Sequence, residues 1–380
     1  MRTSDFESNP IFSLTIEDGI TPKTDRYERT SLITKTEDLF KIVSPNEFVT
    51  NPMNLRFGAF GYNKNSLSVC VSGYYDVFSI DNDKCSGFWN SYFKTPVALK
   101  RFDDAATGSL IEKRRVKYST LCQLIFLMPK GMGEKKQIGA FFDRLDSLIT
   151  LHQRKYDKLC VLKKSMLDKM FPKGGSLYPE IRFAGFTDPW EQRKLSDLTD
   201  RVSIQSSDSD LPQVEYEDII PGEGTLNKDL RDKKGGKTGI KFYAGDVLYG
   251  KLRPYLMNWL YPQFNGVAVG DFWVLRATEC DSSFLYRLVQ TGSFQRLANV
   301  SSGSKMPRAD WNLISQSFFA VPADHAEQKA IAKGLAELDT LITLHQRKYC
   351  GVASWMLGVA LVRLGSESDG AFGEMKHVLR

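Results

Sequence analysis

The chain has 380 residues, 42% of them apolar and 25% charged, and a formal net charge of +6. This length and composition predict two or three globular domains and exclude a disordered or fibrous chain. No apolar run approaches the roughly 18–20 residues that cross a bilayer. Residues 1–10 lack the apolar core of a signal peptide, so the cytoplasm is the expected location. The mild positive charge is compatible with nucleic-acid binding without being diagnostic of it.

Cysteine and histidine are sparse. The six cysteines include no CxxC pair, and the four histidines do not cluster. Neither a zinc site nor a redox motif is therefore expected, and the cysteines are interpreted as reduced thiols that are mostly buried.

The first predicted element is an α/β body over residues 1–131, called here the first body. Residues 66–80, SLSVCVSGYYDVFSI, contain the alternating and β-branched residues that are typical of strands. Glycine, proline and asparagine break the region into short elements, and short helices lie between them. The fold class predicted from this pattern, here and in the second half of the chain, is α+β.

A long helix is predicted next, over residues 132–172. Its apolar residues recur at alternating steps of four and three, which is the pattern of a coiled-coil seam. The segment FPKGG at 171–175 ends the helix with a proline and paired glycines. From Gly133 to the residue before this stop the helix has about 38 residues, which at ~1.5 Å each give a length of ~55 Å. The predicted packing residues of this helix are Ile138, Leu145, Ile149, His152, Tyr156 and Leu159.

After a linker at 173–188, a second α/β body is predicted over residues 189–323, called here the second body. A second long helix is expected at 324–364, and a divergent tail at 365–380 is expected to have no regular structure. The predicted packing residues of the second helix are Ile331, Leu338, Ile342, His345 and Tyr349.

The two halves of the chain are related by a tandem duplication. The peptide LITLHQRKY occurs at 148–156 and again, unchanged, at 341–349. Upstream, residues 41–56 resemble 241–256, and FLMP at 126–129 matches FAVP at 319–322. The repeating unit of about 190 residues is far too long for a solenoid. The duplication predicts two similar α/β bodies, each followed by a nearly constant helix, in a pseudo-twofold molecule.

The two helices most simply pair with each other in antiparallel orientation and form a rigid spacer. The alternative is that each helix packs on its own domain. His152 and His345 fall on the seam, where we expect a polar hydrogen bond between the helices that can fix their register. A metal or catalytic role would need acids or cysteines that converge on these histidines, and no such set is expected.

Several loops of the two bodies mix cations, glycine and small polar residues, and they recur at equivalent places in both halves. Arginine can contact a guanine edge with two hydrogen bonds, while lysine and backbone N–H groups hold phosphates. Such loops can also be merely solvated. The candidate DNA-binding residues are Asn51, Arg56, Ser109, Lys113, Arg114, Arg115, Lys237, Lys251, Arg253, Tyr255, Ser302, Ser304, Lys305 and Arg308.

Motifs that resemble catalytic sites are incomplete. GGKTG at 235–239 ends like a phosphate-binding P-loop, but Arg231 stands where the first glycine is required. The spacing of Glu134 and Lys136, which recurs at the equivalent Glu327 and Lys329 of the second copy, imitates part of a nuclease site. Both pairs lie in the first turn of a predicted helix, where glutamate favours the positive end of the helix dipole. We find no catalytic constellation in the sequence.

The sequence resembles the specificity subunits of type I restriction–modification systems. The resemblance is carried by residues 145–172, 183–198 and 326–348 and by the ATGS and SSGS loops at 106–109 and 301–304. It implies two tandem target recognition domains, separated by two long antiparallel coiled-coil helices, that read a bipartite DNA target. The partners that it implies are double-stranded DNA, methyltransferase subunits and restriction subunits. S-adenosylmethionine, ATP and magnesium would be bound by those partner subunits, and this chain would bind no cofactor.

One departure from the pattern concerns the first body. The second unit begins with DPWEQRKLSDL at 188–198, and the first has no equivalent because Met1 already aligns near Val202. An N-terminal truncation would account for this. The hypotheses are therefore a DNA-recognition subunit, a specificity subunit with one competent DNA-reading domain, a coiled-coil scaffold that reads no DNA, and an enzyme that acts alone on DNA.

Overall fold

The structure is a computed structural model, and it divides the chain into two compact units. Unit 1 comprises Met1–His152 and Tyr349–Arg380, and unit 2 comprises Gln153–Lys348. The division falls within both long helices. Side chains are described except those of residues 347–364 and 372–375. The described residues are 2–16, 19–23, 40–80, 85–110, 113–230, 235–300, 306–364 and 372–375.

The body of unit 1 is a mixture of short strands and short helices. Its strands are β1 (Arg2–Thr3), β2 (Phe12–Thr15), β3 (Gly19–Pro22), β4 (Phe40–Val43), β5 (Phe48–Thr50), β6 (Phe60–Tyr62), β7 (Val69–Val71), β8 (Asp76–Phe78) and β9 (Phe126–Pro129). Its helices are α1 (Ser86–Tyr92), α2 (Pro96–Ala105) and α3 (Tyr118–Leu121), and the long helix α4 (Met132–Lys169) follows them.

An aromatic core holds the first body together. Strand β5 pairs in antiparallel orientation with β6 on one side and β8 on the other, which places Phe48 opposite Phe78. The ring of Phe48 lies 5.3 Å from that of Phe60 and 5.8 Å from that of Phe78, measured between centroids. All three rings are buried, and Phe93 and Phe102 of the helical region join the same cluster. Burial of these rings is the main favourable contribution to the folding of this body.

Helix α1 crosses α4 at a point where both helices carry glycine. A Cβ atom at Gly139 would lie 2.6 Å from the backbone nitrogen of Phe88 and 3.0 Å from the carbonyl carbon of Gly87. Backbone atoms cannot move aside as a flexible side chain can. The absence of a side chain at Gly139 therefore allows the first body to lie directly against α4.

Replacing Gly139 with alanine is expected to destabilise unit 1 by about 1–3 kcal/mol, because overpacking outweighs the better helix propensity of alanine. Faster hydrogen exchange in peptides that cover α1 and the first turns of α4 would report this loss. Gly133 provides the control, since a Cβ at Gly133 meets no atom within 4 Å. Equal exchange in Gly133→Ala and Gly139→Ala would contradict the assignment.

Unit 2 also consists of strands and helices, and its strand of six residues is the longest that the structure describes. Its strands are β10 (Glu191–Lys194), β11 (Thr199–Val202), β12 (Gln205–Ser206), β13 (Gln213–Val214), β14 (Ile219–Ile220), β15 (Thr225–Leu226), β16 (Gly239–Phe242), β17 (Val247–Gly250), β18 (Trp259–Leu260), β19 (Gly266–Ala268), β20 (Phe272–Ala277) and β21 (Phe318–Val321). Its helices are α5 (Leu195–Leu198), α6 (Ser282–Leu288), α7 (Gly292–Ala298), α8 (Trp311–Gln316) and the long helix α9 (His325–Leu364).

Two four-stranded sheets form the second body. One has the order β11-β20-β17-β18, and the other has the order β12-β16-β19-β13. All pairs are antiparallel except β13 with β19. The runs VLYG in β17 and FWVL in β20 are buried throughout, as expected for central strands that are covered on both faces. Tyr249 of β17 stacks on Trp273 of β20 at 5.8 Å, and this pair joins the helices to the sheet through Phe294.

The two bodies share one pattern of strand pairing. In the first, β4 pairs with β7, and β5 pairs with β6 and β8; in the second, β16 pairs with β19, and β17 pairs with β18 and β20. Each body continues with two short helices, the second of which begins at a threonine N-cap. Thr95 accepts a hydrogen bond from the N–H of Ala98, and Thr291 accepts one from Phe294. The strand pairing is therefore the same in the two bodies, in keeping with the internal similarity of the sequence.

The two long helices begin and end close to their predicted limits. Helix α4 has 38 residues and α9 has 40. Within unit 2, Lys163 of α4 lies 2.6 Å from Asp339 of α9, measured between Nζ and Oδ1. Further along the chain, the Arg182 side chain pairs with Glu327 in the first turn of α9. Within unit 2, α4 and the linker after it are therefore tied to the first half of α9 by these two ion pairs.

The first and last strands of the second body pair with each other. Strand β10 pairs in antiparallel orientation with β21, the strand that leads into α9. In unit 1, β9 is the strand that leads into α4 and therefore corresponds to β21. It pairs in antiparallel orientation with β22 (Phe372–Met375), close to the end of the chain. The pairing satisfies backbone groups along β9 that an edge would leave open. The tail was expected to have no regular structure, and the structure instead places this strand in it.

Candidate nucleic-acid interface

The loop that follows β17 is held in an unusual backbone conformation. It contains a one-turn 3-10 helix, Pro254–Leu256, flanked by Arg253 with φ of +49° and Met257 with φ of +56°. Left-handed geometry costs a residue with a side chain roughly 1–2 kcal/mol, so neighbouring contacts must hold it in place. The N–H of Arg253 donates to the carbonyl oxygen of Pro307, and the N–H of Gly222 donates to that of Met257.

Asp271, at the turn before β20, connects this loop to the next basic loop. Its backbone oxygen accepts hydrogen bonds from the N–H of Lys251 and the hydroxyl of Tyr216. Its carboxylate lies 3.5 Å from Lys251 Nζ and 3.1 Å from the guanidinium of Arg308. Burial is the main factor that raises the pKa of Tyr216, to about 12, so the hydroxyl stays protonated and remains a donor. Asp271 therefore places two predicted DNA-binding cations side by side.

Other predicted residues of the second body lie around this centre. Arg253 and Tyr255 are exposed, and the guanidinium of Arg253 has no hydrogen bond or ion pair with the part of the chain that the structure describes. Lys237 Nζ lies 2.8 Å from a carboxylate oxygen of Glu215, next to Tyr216 in the chain, and this hydrogen bond raises the pKa of Lys237. Ser302, Ser304 and Lys305 were also predicted here and lie outside the described residues.

In the first body, two predicted arginines have partners within the protein. The Arg114 guanidinium donates to the backbone oxygens of Asp103, at 2.7 Å, and of Ala106, at 3.0 and 3.2 Å. The side chain of Arg56 is only 10% exposed, and it donates to the carboxylate of Asp103 at 3.2 Å. Asn51 stabilises its own turn by accepting the N–H of Met53 through its side-chain oxygen. These contacts give Arg56, Arg114 and Asn51 a structural role in the loop.

The remaining predicted residues of the first body face the solvent. Ser109, Lys113 and Arg115 are exposed, and the backbone of Arg115 pairs with that of Thr107 in an isolated β-bridge. Lys113 and Arg115 are therefore the cations that this loop offers to a partner.

Replacing Arg114 with alanine is expected to destabilise the first body by about 1–3 kcal/mol, because backbone oxygens of Asp103 and Ala106 lose a charged donor. Arg115→Ala removes the same charge from an exposed neighbour and is the matched control. Urea unfolding with hydrogen exchange over α2 would measure the difference. A similar stability of the two variants would show that the contacts of Arg114 contribute little.

The basic loops occupy equivalent positions in the two bodies. In the first, the N–H of Val116 donates to the carbonyl oxygen of Pro52, in the loop after β5. In the second, the N–H of Ala309 donates to that of Lys251, in the loop after β17. Each body thus joins the loop after its central strand to the loop before a short helix, α3 in the first body and α8 in the second, and cations from separated parts of the sequence come together.

The predicted packing residues of the long helices are buried to different degrees. Ile331 is buried in the core of unit 2, and Leu338 packs against that core. Ile138 packs against the core of the first body. The side chain of Tyr349 lies outside the description. The half-buried members are Leu145, Ile149, His152, Tyr156, Leu159, Ile342 and His345.

Between these positions the helices carry exposed leucines. Leu148 and Leu151 of α4 are each 47% exposed, and Leu341 and Leu344 of α9 are 43% and 45% exposed. All four belong to the two copies of the repeated LITLHQRKY peptide. The same pair of leucines is therefore available on each helix.

Sequence analysis missed Asp271 and Tyr216 as components of the site. An acidic residue and a tyrosine in a strand-rich region do not suggest a DNA surface, and no motif marks them. The signal that could have found Asp271 is its position in the turn between two predicted strands, facing a loop of cations. Among the described residues no group of histidine, cysteine and acidic side chains could hold a metal ion, and no described helix is apolar enough over sufficient length to span a membrane.

Comparison with known proteins begins with the fold. The structure superposes on the S subunit of a type I restriction–modification system from M. genitalium with a TM-score of 0.55, at 12% identity, over 97% of this chain and 91% of that one. The HsdS subunit from Thermoanaerobacter tengcongensis gives a TM-score of 0.43 at 12% identity, over 94% and 89%. No protein-family model matches the chain. The mixed helix and sheet architecture is thus the fold of a type I S subunit.

The sequence is similar to a protein of the same kind. It is 27% identical over 161 residues to the specificity subunit of the type I restriction enzyme EcoDI of Escherichia coli. The alignment covers 40% of this chain and 36% of that relative, so the chain matches about a third of the relative's length. The resemblance to type I specificity subunits predicted from the sequence is confirmed.

Proposed function

We propose that this chain is the DNA sequence-recognition subunit of a type I restriction–modification complex. The observation that carries the proposal is the recurrence, in two bodies of the same strand pairing, of joined loops that present cations to the solvent. Lys113 and Arg115 are exposed cations of these loops in the first body, and Arg253 and Arg308 are exposed cations of the loops in the second. Two bodies with different loops can each recognise a different half-site of one DNA target. Similarity to a specificity subunit supports the same function.

In this proposal the two bodies are target recognition domains, and the long helices form an antiparallel coiled coil that separates them in a pseudo-twofold arrangement. The ion pair between Lys163 of α4 and Asp339 of α9 supports a direct pairing of the two helices. A helix of 38 residues is about 57 Å long at ~1.5 Å per residue. That length corresponds to about 17 base pairs at ~3.4 Å each. Two short half-sites with an unread gap would fit along it.

In this proposal the reactions on DNA are catalysed by partner subunits. Methyltransferase subunits would modify the DNA, and restriction subunits would cleave or translocate it, so S-adenosylmethionine, ATP and magnesium would be bound in those subunits. The exposed leucines at 148, 151, 341 and 344 support docking of apolar helices on this chain, because soluble proteins usually cover such repeated apolar stripes. The chain itself would not be catalytic.

Mapping methylated adenines in DNA from cells that carry this chain and its methyltransferase partner tests the proposal. We expect a bipartite motif with a fixed gap. A motif with a single half would support the alternative of one competent reading domain, which the internal partners of Arg56 and Arg114 in the first body favour. Methylation without any sequence motif would contradict the proposal.

A salt series on a duplex that carries the motif separates DNA reading from mere scaffolding. Neutralisation of phosphates by cations makes log K fall linearly with log salt, by about 0.9 for each phosphate in duplex DNA. A flat response would identify a coiled-coil scaffold that reads no DNA. Methylation or cleavage by the isolated chain, with S-adenosylmethionine or magnesium added, would identify an enzyme that acts alone.

A further inference from the structure

The carboxylate of Asp271 lies among the cations of the second body. It contacts Lys251 and Arg308, and both residues belong to the loops proposed to hold DNA. The side chain is partly exposed, and negative charge at a surface that meets phosphates opposes binding. A surface evolved for charge attraction alone would not place an acid there. The position of Asp271 therefore needs a reason beyond affinity.

We propose that Asp271 is a specificity-determining positioning residue, which lowers the affinity of the second body for arbitrary DNA more than for its target. The inference rests on the proposed function. On arbitrary DNA the phosphates must compete with Asp271 for Lys251 and Arg308, and phosphate contacts are the main source of that affinity. On the target, hydrogen bonds to bases compensate for this competition.

The backbone around Asp271 makes a conservative substitution informative. The N–H of Lys251 and the hydroxyl of Tyr216 donate to the backbone oxygen of residue 271, which asparagine also has. Asp271→Asn thus removes the negative charge and keeps the hydrogen bonds that hold the loop. Glu279→Gln is the matched control, because Glu279 is exposed in the same body and forms no hydrogen bond or ion pair with described residues.

The experiment measures binding of the full-length wild-type chain and both variants to a duplex of random sequence and to a duplex that carries the mapped motif, across a salt series. We expect Asp271→Asn to bind the random duplex about three- to tenfold more tightly than Glu279→Gln does. Its log K against log salt should be steeper by about 0.9 for each additional phosphate contact. The ratio of target to random affinity should fall by a similar factor. Unchanged thermal unfolding would show that the loop is intact.

The outcomes separate this inference from the proposed function. If the wild-type chain binds the target duplex selectively and Asp271→Asn behaves like Glu279→Gln in affinity, slope and ratio, the role of Asp271 is overturned and DNA recognition stands. If affinity for target and random DNA rises equally, Asp271 acts only through net charge and the inference is also overturned. If the wild-type chain binds neither duplex, both proposals fail.

Discussion

Replacing Arg253 with alanine is expected to relax recognition in one half of the DNA target and to leave the other half unchanged. The guanidinium is exposed and has no partner among the described residues, while its backbone is fixed by a hydrogen bond to Pro307. An arginine held in this way is prepared to contact a base edge with two hydrogen bonds, and loss of such a contact costs about 1–3 kcal/mol of discrimination. Methylation mapping should show a degenerate base in a single half-site.

Two further variants make the Arg253 result specific. Arg308→Ala should have a smaller effect, because Arg308 already shares Asp271 with Lys251 in the free protein. Arg296→Ala removes an exposed cation of α7 that was not predicted to contact DNA, and it should leave the motif intact. Equal relaxation of both half-sites by Arg253→Ala would show that the two bodies do not read separate parts of the target.

Replacing Glu327 with alanine is expected to destabilise unit 2 by about 3–5 kcal/mol, the cost of leaving one partner of a buried ion pair uncompensated. The side chain of Glu327 is 3% exposed and accepts two hydrogen bonds from Arg182, at 2.7 and 2.8 Å. It also accepts one from the buried indole N–H of Trp190. These bonds tie the linker to the start of α9, so hydrogen exchange should accelerate over the linker and over β10.

The duplication provides the control for Glu327. Glu134 is the matching residue in the first copy, but it is exposed at the start of α4. Glu134→Ala should change stability by no more than about 0.5 kcal/mol, as is usual for exposed positions. Chemical denaturation of both variants gives the comparison. Similar losses of stability in the two variants would mean that Glu327 contributes only through the interaction of its charge with the helix dipole.

The different environments of these two glutamates illustrate how far sequence reasoning reached. Superposing the two copies identified Glu134 and Glu327 as equivalent, and both were interpreted as first-turn residues that favour the helix dipole. The structure shows that Glu327 is buried and pairs with Arg182 of the linker and Trp190 at the start of the second body, 145 and 137 residues earlier in the chain. No local pattern predicts such contacts, because they depend on how the linker folds back onto α9.

The candidate interface divides in a similar way. Sequence composition identified the cation-rich loops, and the structure brings Lys251, Arg253 and Arg308 together. Sequence composition did not distinguish arginines that hold the fold from arginines that face the solvent: Arg114 donates to backbone oxygens, whereas Arg115 is exposed. Adjacent residues in a loop point to different sides, and only the path of the backbone decides which side is the interior.

The sequence by itself determined the features that depend on local periodicity and on internal similarity. These are the presence of two long helices, the mixture of short strands and helices in the bodies, and the internal similarity of the two halves. The tertiary structure decided which residues meet across long separations: the ion pairs of Asp271, the buried Glu327, and the pairing of β22 with β9. The physical reason is that helix and strand patterns record burial along one element, whereas a charge or a strand edge finds its partner only when the chain has folded.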